Sequence, residues 1–471
     1  MPAAKSVKKD SPLQRWAPFA IALAIIAAVF LARYLLDNQL APGGEPYLQA
    51  RLARTFFTKG IIQNDHLAVG GMPILFTPYK AVVTLMSYAA GYIGAAILTP
   101  IIFLLIFLYA LDKLLTQLGR TPIERAITLA IVASSPTFLH DALITGPQMA
   151  ILAFTTLSST LLLDDRTANK LIGLAAAGLA SSFSPVTALI TILADLIILL
   201  HKKISWKWIG AMVITCIIGV SFIPSEATVA GTGGGLAKTL ADLGGLGGIP
   251  TFTILLAAIG IWRLWPRKGA CAAIIILWIA TFYDFRLISH TNTIIACLAG
   301  AGITYLTERK WNISMLKQLS ILVITCGLLF STISAAGQIS RLGPSNDIAE
   351  SLTWLKGHSR SGQVVLSSPE NGLWIQYFAV RAATVDERMT PEDNRTRMAD
   401  DALKTVYSEK AAMYFKSTNT SHVLITPDMM EGSVWNQPEQ GLHQLLKDDE
   451  TFKNVYHSDG IEIYEYLKNY G

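Results

Sequence analysis

The residues most able to do chemistry follow the first apolar stretch of the chain. Gly44-Glu45-Pro46-Tyr47-Leu48-Gln49-Ala50-Arg51 sets a carboxylate, an aromatic ring and a guanidinium within one short helical length, and Asp65 comes next. A carboxylate at the boundary of water and lipid can act as a general base, and an arginine can hold a phosphate. The plainer reading is equally open: Glu45 caps a helix and Asp65 is solvated. Two further clusters fall at the ends of apolar stretches. One holds Pro136, His140, Asp141 and Gln148; the other holds Asp284, Arg286 and His290. Ionisable groups at membrane depth are costly and usually functional, although those that snorkel to the interface are solvated anchors. Arg286 is the one basic residue at an outer turn between closely spaced spans, a place suited to a lipid phosphate. His290 and Asp284 read as its neighbours.

The frame for these residues follows from composition. Of the 471 residues, 52% are hydrophobic and 15% charged, against about 25% charged in ordinary soluble proteins. The mean hydropathy is +0.44. Such a chain cannot cover itself with polar surface, which predicts a polytopic α-helical membrane protein. Crossing a hydrocarbon core takes roughly 20 helical residues. Candidate spans are 17–36, 95–116, 126–140, 148–163, 171–184, 186–200, 208–223, 251–265, 270–285, 290–306 and 318–337, about eleven in all. The first is too long, and lacks the small-residue cleavage site, for a removable signal.

Basic residues stay on the cytoplasmic side of short connections. With the N-terminus inside, the inner loops carry Arg120 and Arg125, Arg166 and Lys170, Lys202, Lys203 and Lys207, Arg263, Arg267 and Lys268, then Arg309, Lys310 and Lys317. The outer turns near 141–147, 184–186 and 224–250 hold almost none. The expected organisation is a cytoplasmic 1–16, a membrane domain 17–338 with a long first exterior loop 37–94, and an extracytoplasmic domain 339–471. The net charge of +5 is accounted for by the inner loops and calls for no nucleic acid.

The last region reads as a small α/β domain. Asp347–Lys356 is amphipathic; Val364–Leu366 and His422–Ile425 are apolar runs closed by Ser-Pro and Thr-Pro, as buried parallel strands often are. Gly460–Tyr466 alternates, which suits an edge strand. Cys216, Cys271, Cys297 and Cys326 all fall in candidate spans, so no disulfide framework is expected outside. No Cys/His cluster, phosphate-binding glycine loop or nucleophile elbow is present, and Gly231–Gly248 reads as a mobile outer loop. A secondary transporter is disfavoured, because no inverted repeat with matched broken helices is visible.

These residues, in this order, resemble the GT-C superfamily of membrane glycosyltransferases, particularly the oligosaccharyltransferase catalytic-subunit family. That family opens with one span and a long exterior loop carrying an Asp-Pro-Tyr-Tyr-His-Leu-Arg type motif, here Glu45 to Arg51. Asp65 and the run Pro73 to Pro78 are similar to its later aspartate and proline-rich approach to the next helix. Glu226 is placed like its loop glutamate and Arg286 like the arginine that holds the lipid phosphate. Val364–Glu387 resembles its strand, Trp-Trp-Asp-Tyr-Gly segment and Tyr-Phe-Ala-x-Arg helix ending near Asp386.

The resemblance implies transfer of a sugar from a polyprenyl-phosphate-linked donor to an acceptor on the extracytoplasmic face. It makes Glu45 and Asp65 catalytic, has Arg286, Glu226, Arg51 and His290 bind substrate, and gives Asp141 to a divalent cation, Mg or Mn. The implied partners are the lipid-linked sugar and membrane lipid. The chain departs from the pattern in two places. Ser367-Ser368-Pro369-Glu370-Asn371-Gly372 replaces the sequon reader, and Thr145-Gly146-Pro147-Gln148 replaces the second acidic motif. A neutral Gln148 weakens a site for a hard cation, which prefers carboxylate oxygen. The alternative is a non-catalytic relative that binds a lipid-linked glycan or a partner through its exterior domain.

Overall fold

The computed structural model describes residues 12–201, 205–223, 239–243, 246–264, 278, 279, 281, 284, 287–437 and 440–467. They divide into two compact units. The first takes the described residues up to Ala32, with Thr77–Tyr79 and Leu98–Arg341. The second takes Arg33–Phe76, Lys80–Ile97 and the described residues from Leu342 on.

The first unit is helical, as long apolar runs dictate where every backbone polar group must bond within its own segment. Its helices include Gly146–Leu162, Thr167–Ser181, Pro185–His201, Trp206–Ser221, Thr251–Leu264 and Ile288–Glu308. Pro122–Ala133 and Pro136–Leu143 meet at 56°, because Pro136 begins a new helix at a position where it forgoes no bond. Among the described residues, three stretches are long and apolar enough to cross a membrane: 16–35, 78–117 and 314–358. The bent pair makes a fourth if it counts as one span. Pro185–Leu196, Trp206–Ser221 and Thr251–Trp262 are apolar but shorter. The candidate span 270–285 and the loop 231–248 lie largely outside the described residues. A polar seam joins two of the helices. Asp195 is fully buried and accepts hydrogen bonds from Ser158 at 2.7 Å and from Ser159, while Thr155 and Thr191 meet at 3.2 Å.

The second unit is built on a five-stranded sheet, β1 Val364–Leu366, β2 Ala382–Ala383, β3 Thr420–Ile425, β4 Phe452–Ser458 and β5 Ile461–Tyr466, in the order β2-β1-β3-β5-β4. β1 runs parallel to β2 and β3, and β5 runs antiparallel to β3 and β4. The expected edge strand at Gly460–Tyr466 is therefore corrected: β5 lies inside the sheet and β4 is the edge. β5 buries Ile461, Ile463, Tyr464 and Tyr466, so both its faces are used, whereas β4 leaves Lys453, Asn454 and His457 exposed. The expected helix running to Asp386 is corrected too. A short helix, Pro369–Trp374, continues as a wider turn to Ala379; Val380 then takes a left-handed conformation (φ 53°) and the chain enters β2.

The segment that reads as a first loop is part of this unit. Residues 37–44 are stitched to 342–346: Gly43 N–H donates to Gly343 O at 2.8 Å, Asn38 to Pro344 O at 2.9 Å and Asn346 to Asp37 O at 2.6 Å. A helix follows, Glu45–Lys59, with Pro46 in its first turn. It buries Leu48, Leu52 and Phe56 against Ile74 and Leu373. Val69 N–H then donates to Ala383 O and Ala383 N–H to Leu67 O, extending the sheet beyond β2. This covers an edge that would otherwise be open to pairing.

Candidate active site

Tyr47, the aromatic residue of the Glu45–Arg51 motif, is a core residue. It is 1% exposed, donates its hydroxyl to Ala41 O at 3.1 Å and packs against Tyr377 and Phe378. That contact sets the rotation of the helix 45–59 and so the direction of its polar members.

Arg51 points to Asp65. Its two terminal nitrogens take one carboxylate oxygen each, the longer bond 2.8 Å, and one also donates to Gln376 Oε1 at 2.8 Å. Arg388 reaches the same Asp65 at 2.9 Å and holds Asp386 through its Nε and a terminal nitrogen, at 3.0 and 2.6 Å. Gln376 closes the ring by donating to Asp386 at 2.8 Å. Asp65 is 1% exposed and Asp386 fully buried. Burial opposes ionisation of Asp65, but the Arg51 hydrogen bonds and the two guanidinium charges outweigh it and bring its carboxyl down to about 2. Buried charges survive when paired and hydrogen-bonded in this way.

Glu45 stands apart from the ring on the first turn of its helix. It is half-buried and accepts a hydrogen bond from Gln49. Loss of hydration raises its carboxyl above the ordinary range; the Gln49 bond and the charges of Lys80 and Arg388 offset only part of this. Glu387 lies close by, since a Cβ at Gly44 would come within 3.0 Å of Glu387 Oε1. Glu387 is exposed, yet surrounding protein displaces much of its hydration. That loss, together with the negative Glu45, Glu370 and Asp386, pushes its carboxyl up to about 8. Two neighbouring acids titrate as a pair.

The helical unit brings together Asp141, Thr145, Ser289 and His290. Asp141 is 3% exposed and accepts from Thr145 Oγ1 at 2.8 Å and from Ser289. His140 Nδ1 lies 3.5 Å from Asp141. Both ring nitrogens of buried His290 lack a hydrogen-bond partner. Among the described residues no group of three His, Cys, Asp or Glu side chains could hold a metal ion. Asp141 spends its oxygens on hydroxyl donors and Asp65 spends its own on arginines, so neither donor set fits a divalent cation. Glu226 and Arg286 lie outside the described residues.

Gln376, Arg388 and Glu387 were absent from the expectations. The signal for the last two is the charged triplet Asp386-Glu387-Arg388, which begins three positions past β2.

No protein-family model matches the chain, and no curated protein matches it in sequence. Solved structures do. Oligosaccharyltransferase AglB from Archaeoglobus fulgidus, in complex with an inhibitory peptide and a dolichol-phosphate, is similar with a TM-score of 0.61 and 12% identity, covering 97% of this chain and 75% of that one. Another structure of the Archaeoglobus fulgidus enzyme contains Zn and sulfate, with 12% identity, a TM-score of 0.59 and coverage of 92% and 71%. ArnT from Cupriavidus metallidurans bound to undecaprenyl phosphate gives 0.57 and 12% identity over 96% of this chain and 98% of its own. The arabinofuranosyltransferase AftD from Mycobacteria gives 0.61 and 14% identity over 97% of this chain, which spans 40% of that longer protein. At such identity the likeness shows the fold alone, one shared with these oligosaccharyltransferase, ArnT and arabinofuranosyltransferase structures.

Proposed function

We propose that the protein moves a sugar from a polyprenyl-phosphate-linked donor to an acceptor on the extracytoplasmic face of a membrane that it crosses about eleven times. The fold supports the general reaction, since its structural neighbours include proteins bound to dolichol-phosphate and undecaprenyl phosphate. The observation that carries the assignment is the contrast between two carboxylates of one unit. Asp65 is locked to two arginines, while Glu45 is partly open to water, with a carboxyl raised above its ordinary range.

A raised carboxyl is a better base near neutral pH. In this reading Glu45 accepts the proton of the acceptor nucleophile as that atom bonds to the anomeric carbon. The bond from that carbon to the phosphate oxygen breaks, and the polyprenyl phosphate leaves with its electron pair. Lys80, whose charge bears on Glu45, supplies positive charge toward the departing phosphate; Arg286, Glu226 and His290 keep the substrate-binding roles that the resemblance implies. Asp65 and Arg51 are positioning residues that hold the helix carrying Glu45. The test is transfer from a labelled lipid-linked sugar in reconstituted membranes. Full activity in Glu45→Gln would sink the assignment.

A second reading keeps the fold and removes turnover: the chain binds the lipid-linked glycan without transferring it. The neutral Gln148 in place of a second acidic motif favours it. Saturable binding of the carrier lipid, with no transfer at any metal concentration, would select it over the first.

A further inference from the structure

At the carboxyl end of β1, where the segment Ser367–Gly372 stands in place of the family's sequon reader, the second unit holds a cavity of ≈ 270 Å³. Parallel strands commonly bind ligands at this end. Ser368 and Glu370 line one side, Thr396, Arg397 and Asp400 of the helix Asn394–Lys404 line another, and Ser433 and Val434 form the lip. Beneath them Ala399 and Leu403 are each 2% exposed and make an apolar floor.

Three features of this lining select a class of ligand. Its charged groups are of both signs: Glu370 and Arg397 both belong to the lining, and Asp400 is paired with Lys404 at 2.8 Å. Neither sign dominates the lining, so it offers no dedicated seat for a phosphate or a free amine. The hydrogen-bonding groups mix both senses, because carboxylates accept, the guanidinium donates and three hydroxyls do either. The buried Thr396 Oγ1 also lacks any partner in the fold, and an unpaired buried hydroxyl costs stability unless something completes it. The volume lies just under the range of about 300–1,000 Å³ typical for drug-sized ligands, enough for one small ring and too little for a folded partner.

From these features we infer that the cavity is a saccharide subsite, taking one uncharged sugar ring with its hydroxyls on the polar rim and its carbon face on the floor. The inference deepens the transferase reading by making the acceptor a carbohydrate, and rests on that reading for the acceptor role alone. Binding itself requires neither donor nor turnover.

The experiment uses the full chain in lipid nanodiscs and the methyl pyranosides and furanosides of neutral sugars as probes, read by saturation-transfer NMR. At least one glycoside is expected to bind. Ser433→Trp, which fills the lip, should weaken it by about tenfold or more, and Glu370→Ala should weaken it without moving the melting temperature. Glu45→Gln should leave binding unchanged, which separates failure of this site from failure of the transferase assignment. Three results would overturn the inference: no glycoside binds at millimolar concentration, binding survives both cavity variants, or inorganic phosphate or methylammonium occupies the site instead.

Discussion

Arg51 grips both oxygens of Asp65, and the same carboxylate receives Arg388 at 2.9 Å. One buried acid thereby joins the helix 45–59 to the chain that follows β2. The cluster is a clasp rather than an open catalytic group.

Removing the shared carboxylate should loosen the clasp. Asp65→Asn keeps the shape and leaves two guanidiniums facing each other, a change expected to cost about 3 kcal/mol because breaking one side of a buried pair strands the other. Chemical denaturation of the detergent-solubilised protein measures it. Arg51→Lys should cost less, about 1–2 kcal/mol, since lysine cannot make the paired bonds.

The same pair predicts acid sensitivity. The folded carboxyl of Asp65 titrates at about 2, below its unfolded value of roughly 3.9. Its contribution, about 2–3 kcal/mol, is complete above pH 4 and is lost as pH falls through 2. Wild type should lose stability over that window, and Asp65→Asn should lose less.

Glu45 has the opposite sign. Its carboxyl is raised in the folded state, so ionising it at neutral pH opposes folding. Glu45→Gln is expected to melt at the same temperature or higher while losing about 100-fold or more in transfer, the scale of a general base. Parallel melting and transfer assays read both. A variant that lost activity and stability together would mark Glu45 as structural.

Glu387 tests the electrostatic part. Its carboxyl is raised to about 8 in part by the negative Glu45, so Glu45→Gln should lower the Glu387 titration, followed by its carboxylate infrared band. A Glu387 titration unchanged within error would show that the two acids do not communicate.

Gly372 closes the segment Ser367–Gly372 for a steric reason. A Cβ there would lie 2.1 Å from Val385 O and 2.6 Å from Asp386 Cβ. Gly372→Ala should cost about 1–3 kcal/mol by overpacking and disturb Asp386, which a shift in the denaturation midpoint would register.

Much of this was legible along the chain because it is local. The runs that predict spans at 148–163, 171–184 and 208–223 lie within or beside helices Gly146–Leu162, Thr167–Ser181 and Trp206–Ser221, since apolar period and length act over neighbouring residues. β1 and β3 were readable from short apolar runs ended by proline. The place of β5 was not, because alternation describes one strand's faces and says nothing of which strands flank it. Arg51 and Asp65 both stood out, but their pairing, 14 positions apart, depends on how the intervening turn folds. Gln376, 325 positions from Arg51, carries no local mark at all.

That separation has a consequence for how the protein is made. The segment 37–76 is synthesised early, yet its partners in β2, in 342–346 and at Gln376 and Arg388 emerge only after the whole helical series. Until then Asp65 can pair with Arg51 but not with Arg388, and the strip at 67–69 has no sheet to extend. A nascent chain must keep that segment unfinished while several helices are laid down. Truncation anywhere before β2 should therefore leave the early segment as prey for proteases, even where every apolar helix has formed.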